Sequence, residues 1–538
     1  MEFDFIIVGA GSAGCVLANR LTESGKYTVL LLEAGGTDKR FFIQMPLGYG
    51  KTFYDPKVNW LYRAEADSGL NGQEDHWPRG RVLGGSSSIN AMVYIRGQRA
   101  DYESWKDAGN PGWGWDDVLP AYKAMEDFEH GANAFHGAGG PLHITDQTGK
   151  VHPLTLDYIK ACEALGLPHN PDFNGENQEG AGIYHVTTRG GLRLSSARAF
   201  LDPARRRLNL KVQTSALVEQ IDFEGQRAIG VTWSGFDGRS SARARREVIL
   251  AGGAVNSPQL LELSGIGSTE RLRALGISVR HHSSQVGENL EDHVGLNYTY
   301  RMKVPTMNDR LRPWWGKLLV GIEYLLFQTG PLSLSINHGG GFFKTNPSYE
   351  RPNMQLYMQA FSTLKPKPGE RPILTPDPFS GLSIGLSNCR PTSRGSIHVR
   401  SADPRQHPRI WANAYGTEHD VEEMLAAVKF LRRLAETEPL KSLIAEELRP
   451  GPQVQTNAEL IHDFKQRSGT VYHPSCTCRM GPDPATSVVD PRLRVHGIAG
   501  LRVCDASVFP NLIAGNTNAP AMMVGWKGAE LILEDASA

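Results

Sequence analysis

A glycine-rich turn set between two apolar runs constrains this chain more than any other feature. Residues 3 to 8 are nearly all apolar after Asp4, as suits a strand buried on both faces of a parallel sheet. Gly9-Ala10-Gly11-Ser12-Ala13-Gly14 follows at once, and Cys15 to Leu21 then reads as a helix. Tyr27 to Leu32 forms a second apolar run that ends in Glu33 and Ala34. The glycines act differently. Gly9 permits the tight turn, Gly11 lets the backbone approach a pyrophosphate, and Gly14 lets helix and strand pack closely. The helix N-terminus, opening at Ser12 and Ala13, then faces the phosphates. Glu33 stands 19 residues after Gly14, where an acid accepts ribose hydroxyls and disfavours a 2′-phosphate. Strand, turn, helix, strand and acid in this order indicate a dinucleotide-binding unit. The turn by itself does not separate NAD from FAD.

The chain has 538 residues, more than one compact core usually holds, so two domains are expected. Lys+Arg and Asp+Glu are both 57, a balance that argues against a nucleic-acid partner. The six cysteines form no CxxC pair; Cys476 and Cys478 read as plain buried thiols, and His281-His282 as a solvated turn, so no metal site is expected. No basic segment precedes an apolar run at the N-terminus, and the longest apolar stretch, Leu318 to Phe327, contains Glu323. A cytoplasmic protein is expected, with peripheral contact to the inner membrane left open.

Three further segments carry more chemistry. Trp77 to Asn90 is rich in glycine and serine, and such a loop brings backbone N–H groups against an anion or a flat ring. Gly253-Ala254-Val255-Asn256-Ser257-Pro258 leads into a helix that stops at Gly265-Ile266-Gly267. Near the C-terminus come Tyr472-His473-Pro474, Val503-Cys504-Asp505-Ala506-Ser507 and Gly515-Asn516-Thr517-Asn518-Ala519-Pro520. With these in place, the chain resembles the glucose–methanol–choline (GMC) oxidoreductases, FAD-dependent alcohol oxidases and dehydrogenases, over residues 4 to about 535. The likeness is nearest to the bacterial choline dehydrogenase, alcohol dehydrogenase and hydroxymethylfurfural oxidase branch. Gly80 to Gly97 resembles the family's first signature and Gly253 to Gly267 its second.

The resemblance implies FAD as the cofactor. Gly9, Gly11, Ser12, Ala13, Gly14, Glu33 and Ala34 match its ADP-binding positions. Arg81, Gly84, Gly85, Ser86, Asn90, Ala91 and Val93 match the loop along the flavin, and Val218 the position whose backbone meets the adenine. Asp505 and Ala506 match residues near the ribityl chain and pyrophosphate, and Asn516 with Thr517 lies beside the isoalloxazine. Ile89 stands where some members carry a histidine bonded to the flavin, so the FAD is expected to be non-covalent.

The resemblance further implies that His473 is the catalytic histidine and Asn518 the second active-site position. Histidine can take a hydroxyl proton near neutral pH, and an amide can hold the resulting alkoxide. The expected reaction is oxidation of a small-molecule primary alcohol, with oxygen or a quinone-like carrier as acceptor. Asn388-Cys389-Arg390-Pro391 resembles the cysteine segment of light-driven fatty-acid photodecarboxylases on the same scaffold, an alternative reading; a non-catalytic flavin module is another. Asp292-His293 reads as structural, and Trp314-Trp315 as either an entrance lid or ordinary packing.

The expected fold is α/β, α+β overall. A discontinuous Rossmann-like FAD-binding domain would use 1–155, 195–300 and 460–538. A substrate domain on an antiparallel sheet backed by helices would use 156–194 and 301–459. Within the latter, Asn353 to Met358, Leu382 to Leu386 and Gly395 to Arg400 read as strands, and Glu418 to Ala435 as a helix.

Overall fold

A computed structural model describes residues 1–236, 238–364 and 375–537. In chain order, the strands of the two main sheets are β1 (Glu2–Val8), β2 (Val29–Leu32), β3 (Gly180–Ile183), β4 (Leu210–Gln213), β5 (Leu217–Glu224), β6 (Arg227–Gly235), β7 (Gly238–Leu250), β8 (Val294–Met302), β9 (Gly339–Phe343), β10 (Met354–Gln359), β11 (Gly381–Asn388), β12 (Ile444–Arg449), β13 (Gly469–Thr470) and β14 (Leu501–Val503). The helices about them include α1 (Ser12–Thr22), α2 (Gly253–Leu263), α3 (Trp314–Phe327), α4 (Glu418–Ala435) and α5 (Asn518–Ser537).

The first sheet runs β4-β2-β1-β7-β6-β5. Its β4, β2, β1 and the end of β7 are parallel, and β14 lies parallel to the end of β7 on the other side. The first half of β7 turns back on β6 and β6 on β5, so an antiparallel flap extends the parallel core. Residues Phe5 to Val8 and Val29 to Leu32 are buried, which accounts for their unbroken apolar run. α5 packs on α1 so closely that a Cβ at Gly525 would come 2.7 Å from the Ala13 carbonyl oxygen.

The second sheet runs β12-β8-β11-β10-β9-β3, antiparallel throughout, with β13 paired to the start of β8. Its strands alternate cleanly. Met354, Leu356 and Met358 of β10 enter the core beneath α4, whereas Tyr357 and Gln359 line a large cavity on the other face. α4 supplies Met424, Ala427, Val428, Leu431 and Leu434 to that core at helical spacing, and its Thr417 side chain caps the N-terminus by accepting from Asp420 N–H.

Two details differ from the sequence-based expectation. The segment around Gly395 to Arg400 yields only Ser396–His398, which pairs with Arg409–Trp411 in a separate ribbon instead of joining the second sheet. The second sheet also takes β8 from Val294 onward and β13, residues expected in the cofactor domain. Both shifts are set by long-range pairing, which local pattern does not encode.

Leu431 is fully buried between α4 and the second sheet. Leu431→Ala is expected to cost about 2–5 kcal/mol of stability, by lost transfer and the cavity left behind. A guanidinium titration of the variant against the parent checks this.

Candidate active site

Steric constraint builds one end of the cavity. Gly9 has φ +103° and a Cβ there would meet the Ala251 carbonyl oxygen at 2.4 Å; a Cβ at Gly14 would meet the Gly9 oxygen at 1.9 Å. The turn of residues 84–88 then lies on this motif, with Gly85 at φ +53° and its missing Cβ 2.7 Å from Gly11 Cα. α1 has no side-chain N-cap, so its first N–H groups are free to bind an anion. Glu33 accepts from Ala10 N–H (3.0 Å) and Gly35 N–H (2.8 Å), and burial pushes its carboxyl up to about 7. Asp505 ties α2 to the C-terminal segment by accepting from Gly253 N–H (2.8 Å) and Ser257 Oγ–H (2.6 Å).

The cavity, of about 1480 Å³, runs from this turn to His473. Gly9, Gly11, Ser12, Ala13, Glu33, Ala34 and Val218 line it, as do Gly85, Ser86, Asn90, Ala91 and Val93. Asp505, Ala506, Asn516, Thr517 and Asn518 line it from the C-terminal side. Three expected cofactor residues stay behind the wall. Gly14 serves the packing of α1, Gly84 (φ +86°) the turn, and the Arg81 guanidinium lies 4.9 Å from the Trp60 ring centroid. Ile89 is in the wall and its aliphatic side chain has no atom to bond a flavin.

A chain of hydrogen bonds fixes the other end. His293 Nε2 lies 3.0 Å from the Cys389 carbonyl oxygen, which can only accept, so Nε2 carries the proton. In neutral His293 the Nδ1 is then bare and accepts from His473 Nδ1–H at 2.9 Å. That leaves His473 Nε2 unprotonated, and Asn516 Nδ2 donates to it at 3.1 Å. Gln355 Nε2 donates to Asn516 Oδ1 at 3.1 Å, and Tyr357 O–H donates to Gln355 Oε1 at 2.8 Å, which sets both amides.

Burial holds the two rings neutral. His473 lies well below the ordinary imidazole range through burial first, then because a second charge would be opposed by a protonated His293 or by the Arg79 guanidinium. His293 is lowered to about 4, chiefly by burial. Asp292 accepts from His473 N–H at 2.8 Å and from Thr470 O–H, and burial pushes it up to about 7. Arg79 donates to the Tyr472 carbonyl at 2.7 Å.

The structure therefore pairs His473 with Asn516, not with Asn518. Asn518 is the first residue of α5 and its Oδ1 accepts from Ser12 Oγ–H at 2.7 Å, at the phosphate end of the cavity. His293, read as structural from sequence, touches His473 directly. Cys389 packs among Val93, Tyr184 and Tyr357, with its thiol pushed up to about 12 by burial. Its side chain lends nothing to the photodecarboxylase reading. His281 and His282 form a short strand against Ile266–Gly267, and no cluster among the described residues could hold a metal. Trp314 and Trp315 are exposed on α3 and do not line the cavity.

A dinucleotide turn opening on the same cavity as a buried neutral histidine defines a nucleotide-dependent oxidoreductase. Family comparison is specific: the two GMC oxidoreductase profiles match residues 3–295 and 391–525. The chain is 40% identical over 541 residues to human mitochondrial choline dehydrogenase, covering 99% of this chain and 90% of that protein. It is 40% identical to the alcohol dehydrogenase [acceptor] of Pseudomonas putida, covering 99% and 96%. Among solved structures, pyridoxine 4-oxidase from Mesorbium loti superposes with a TM-score of 0.88 at 31% identity over 98% of both chains. Formate oxidase gives 0.92 at 27% identity over 100% of this chain and 99% of the other.

The chain belongs to the GMC oxidoreductase family, and FAD is its cofactor. The residues fit that cofactor: uncapped N–H groups of α1 for the pyrophosphate, Glu33 for a ribose, and the Gly85 turn with Asn90 to Val93 along the way to His473. Gly85→Ala drives a methyl group into Gly11 at a left-handed backbone position. The variant is expected to purify with its FAD content reduced, read as the ratio of visible flavin absorbance to protein absorbance.

Proposed function

We propose that this protein oxidises primary alcohols to aldehydes, with His473 as the base and Asn516 as the group that holds the oxygen. The observation that carries the reading is the bare Nε2 of His473, 3.1 Å from the Asn516 amide in the wall of the cofactor cavity. A hydroxyl seated between them would donate to His473 Nε2 and accept from Asn516 Nδ2–H. Proton transfer to Nε2 makes an imidazolium, and His293 accepts its Nδ1–H and shares the charge. Asn516 stabilises the alkoxide and cannot titrate, so it stays a donor at every pH. Bound FAD supplies the hydride acceptor. The final electron acceptor would be oxygen or a quinone-like carrier.

The substrate end is walled by aromatic rings. Phe53 meets Tyr472 edge-on at 5.2 Å between centroids and His76 at 5.3 Å, and Tyr54 stacks on His76 at 4.9 Å. These rings line the cavity beside His473 and favour aliphatic or aromatic alcohols over sugars. A second reading is a cationic alcohol such as choline. It draws support from the Asp75 carboxylate, which lines the same wall and accepts from Thr470 N–H at 2.6 Å.

Anaerobic titration with choline, long-chain aliphatic, benzylic and furanic alcohols tests both readings. Bleaching of the flavin band by one class names the substrate, and readmitted air separates an oxidase from a dehydrogenase. A flavin that none of them reduces overturns the proposal. Among variants, His473→Ala is expected to keep FAD and lose roughly 10²–10⁴ in rate. Asn516→Ala is expected to lose about 10²–10³, the weight of an oxyanion donor. Asn518→Ala is expected to weaken FAD retention and leave the rate of the loaded enzyme within a few-fold, as measured by stopped-flow flavin reduction.

The acid limb of kcat/KM follows from the depressed imidazole. The base works unprotonated, so lowering its pKa extends activity downward, and the limb is expected below pH 6.5, where an ordinary histidine would titrate. Arg79→Gln removes a cation that disfavours protonation and is expected to move the limb up. A limb at or above pH 7 in the parent enzyme contradicts the assignment.

A further inference from the structure

Helix α3 presents its apolar side chains to solvent. Only Gly316, Val320 and Tyr324 are buried along it, while eight large apolar residues between Trp314 and Phe327 are exposed, Trp314 by 76% and Phe327 by 70%. Phe41 and Phe42 extend this surface. Phe41 meets Tyr324 edge-on with ring centroids 6.3 Å apart, and Phe42 meets Phe41 at 5.4 Å; both phenylalanines are themselves exposed. Contiguous exposed apolar side chains of this size mark an interaction surface.

The chemistry of the surface selects its occupant. Among the eight, only the two indoles carry a hydrogen-bonding atom. A protein interface carries about one hydrogen bond per 100–200 Å² and a partner of matching shape. A helical ridge whose apolar side chains offer donors only at the two indoles suits fluid hydrocarbon instead. Trp314 and Trp315 sit together at one end, and tryptophan settles at the headgroup level of a bilayer. The one acid of the helix, Glu323, is neutralised by Arg310 at 2.7 Å. Two further cations of the same segment, Arg312 and Lys317, are exposed. Lys39, also exposed, precedes the two phenylalanines. Anionic headgroups over hydrocarbon complement both features at once. The 14 residues of α3 measure about 21 Å, short of a hydrocarbon core of about 30 Å, so the helix can lie in the interface and cannot cross it.

We propose that α3, with Phe41 and Phe42, docks this protein in the plane of the headgroup layer of an anionic lipid bilayer. The chain that follows Phe42 supplies Tyr49, Phe53 and Tyr54 to the cavity wall, so the docking surface and the cavity wall are neighbours in one segment.

Flotation of the FAD-loaded enzyme tests this. Vesicles of phosphatidylglycerol and phosphatidylethanolamine are compared with vesicles of phosphatidylcholine alone, at low and high salt. The enzyme is expected to float with the anionic vesicles, more weakly with phosphatidylcholine and at high salt, and its tryptophan emission to shift to the blue. The double substitution Leu325→Glu/Leu326→Glu is expected to cut partitioning at least about tenfold, and Lys317→Glu to weaken binding to the anionic vesicles alone. FAD content and melting temperature of both variants are expected to match the parent, which separates lost docking from lost folding. An enzyme that floats with neither vesicle overturns the proposal, as does flotation that the double substitution leaves unaltered. A dimer in solution that the double substitution converts to monomer also overturns it, because a second copy would then cover the face.

Discussion

Three stretches of backbone approach one another at the end of β1 more closely than any side chain allows. A Cβ at Gly14 would stand 1.9 Å from the Gly9 oxygen, one at Gly9 2.4 Å from the Ala251 oxygen, and one at Gly85 2.7 Å from Gly11 Cα. The site depends on this seam. It joins the first turn, the end of β7 and the loop of residues 84–88, and it aims the free N–H groups of α1 into the cavity. Glycine costs about 0.5–1 kcal/mol per position in lost chain freedom. Burial of the parallel strands offsets that cost, since Ile6, Ile7, Val29, Leu30 and Leu31 have no exposed surface.

Burial then does at the far end what steric fit does at the near one. The same exclusion of water lowers His473 and His293, lowers Arg79 to about 10 and raises Asp292 to about 7. The proposed base needs to be neutral and a backbone anchor needs only to accept, so these shifts suit the proposed arrangement. Asp292 keeps two donors, the His473 N–H and the Thr470 hydroxyl. The Arg79 guanidinium reinforces the neutral imidazole, as a nearby cation opposes a second positive charge.

What is legible in the sequence is what local sterics and periodicity decide. Gly14 and the span of α4 are read off because each is fixed by close neighbours in the chain, Gly14 by the Gly9 carbonyl and α4 by its own period and the Thr417 cap. The contact of His293 with His473 is not legible in the sequence because the two are 180 residues apart. Antiparallel pairing of Val294 with Thr470, and the Val471 N–H on the His293 carbonyl at 3.0 Å, bring the two histidines together. Sequence does not tell Asn516 from Asn518, because only Thr517 separates them in a small-residue run. Gly515 at φ +109° and the start of α5 at Asn518 send the two amides to opposite ends of the cavity.

The second sheet couples the core to the chemistry through its period of two. On β10 the odd residues Gln355, Tyr357 and Gln359 serve the cavity side, and the even residues Met354, Leu356 and Met358 fill the core under α4. A slip of one residue in register would exchange the sets, burying amides without partners and exposing methionines. The amide that orients Asn516 is thus held by the hydrophobic packing on the reverse of the same strand. Tyr184, just past the end of β3, reinforces that register, donating to the Leu356 carbonyl at 2.6 Å while accepting from Gln355 at 3.1 Å. One phenol therefore reads both the backbone and the side chain of β10, and a shift that broke one bond would break the other.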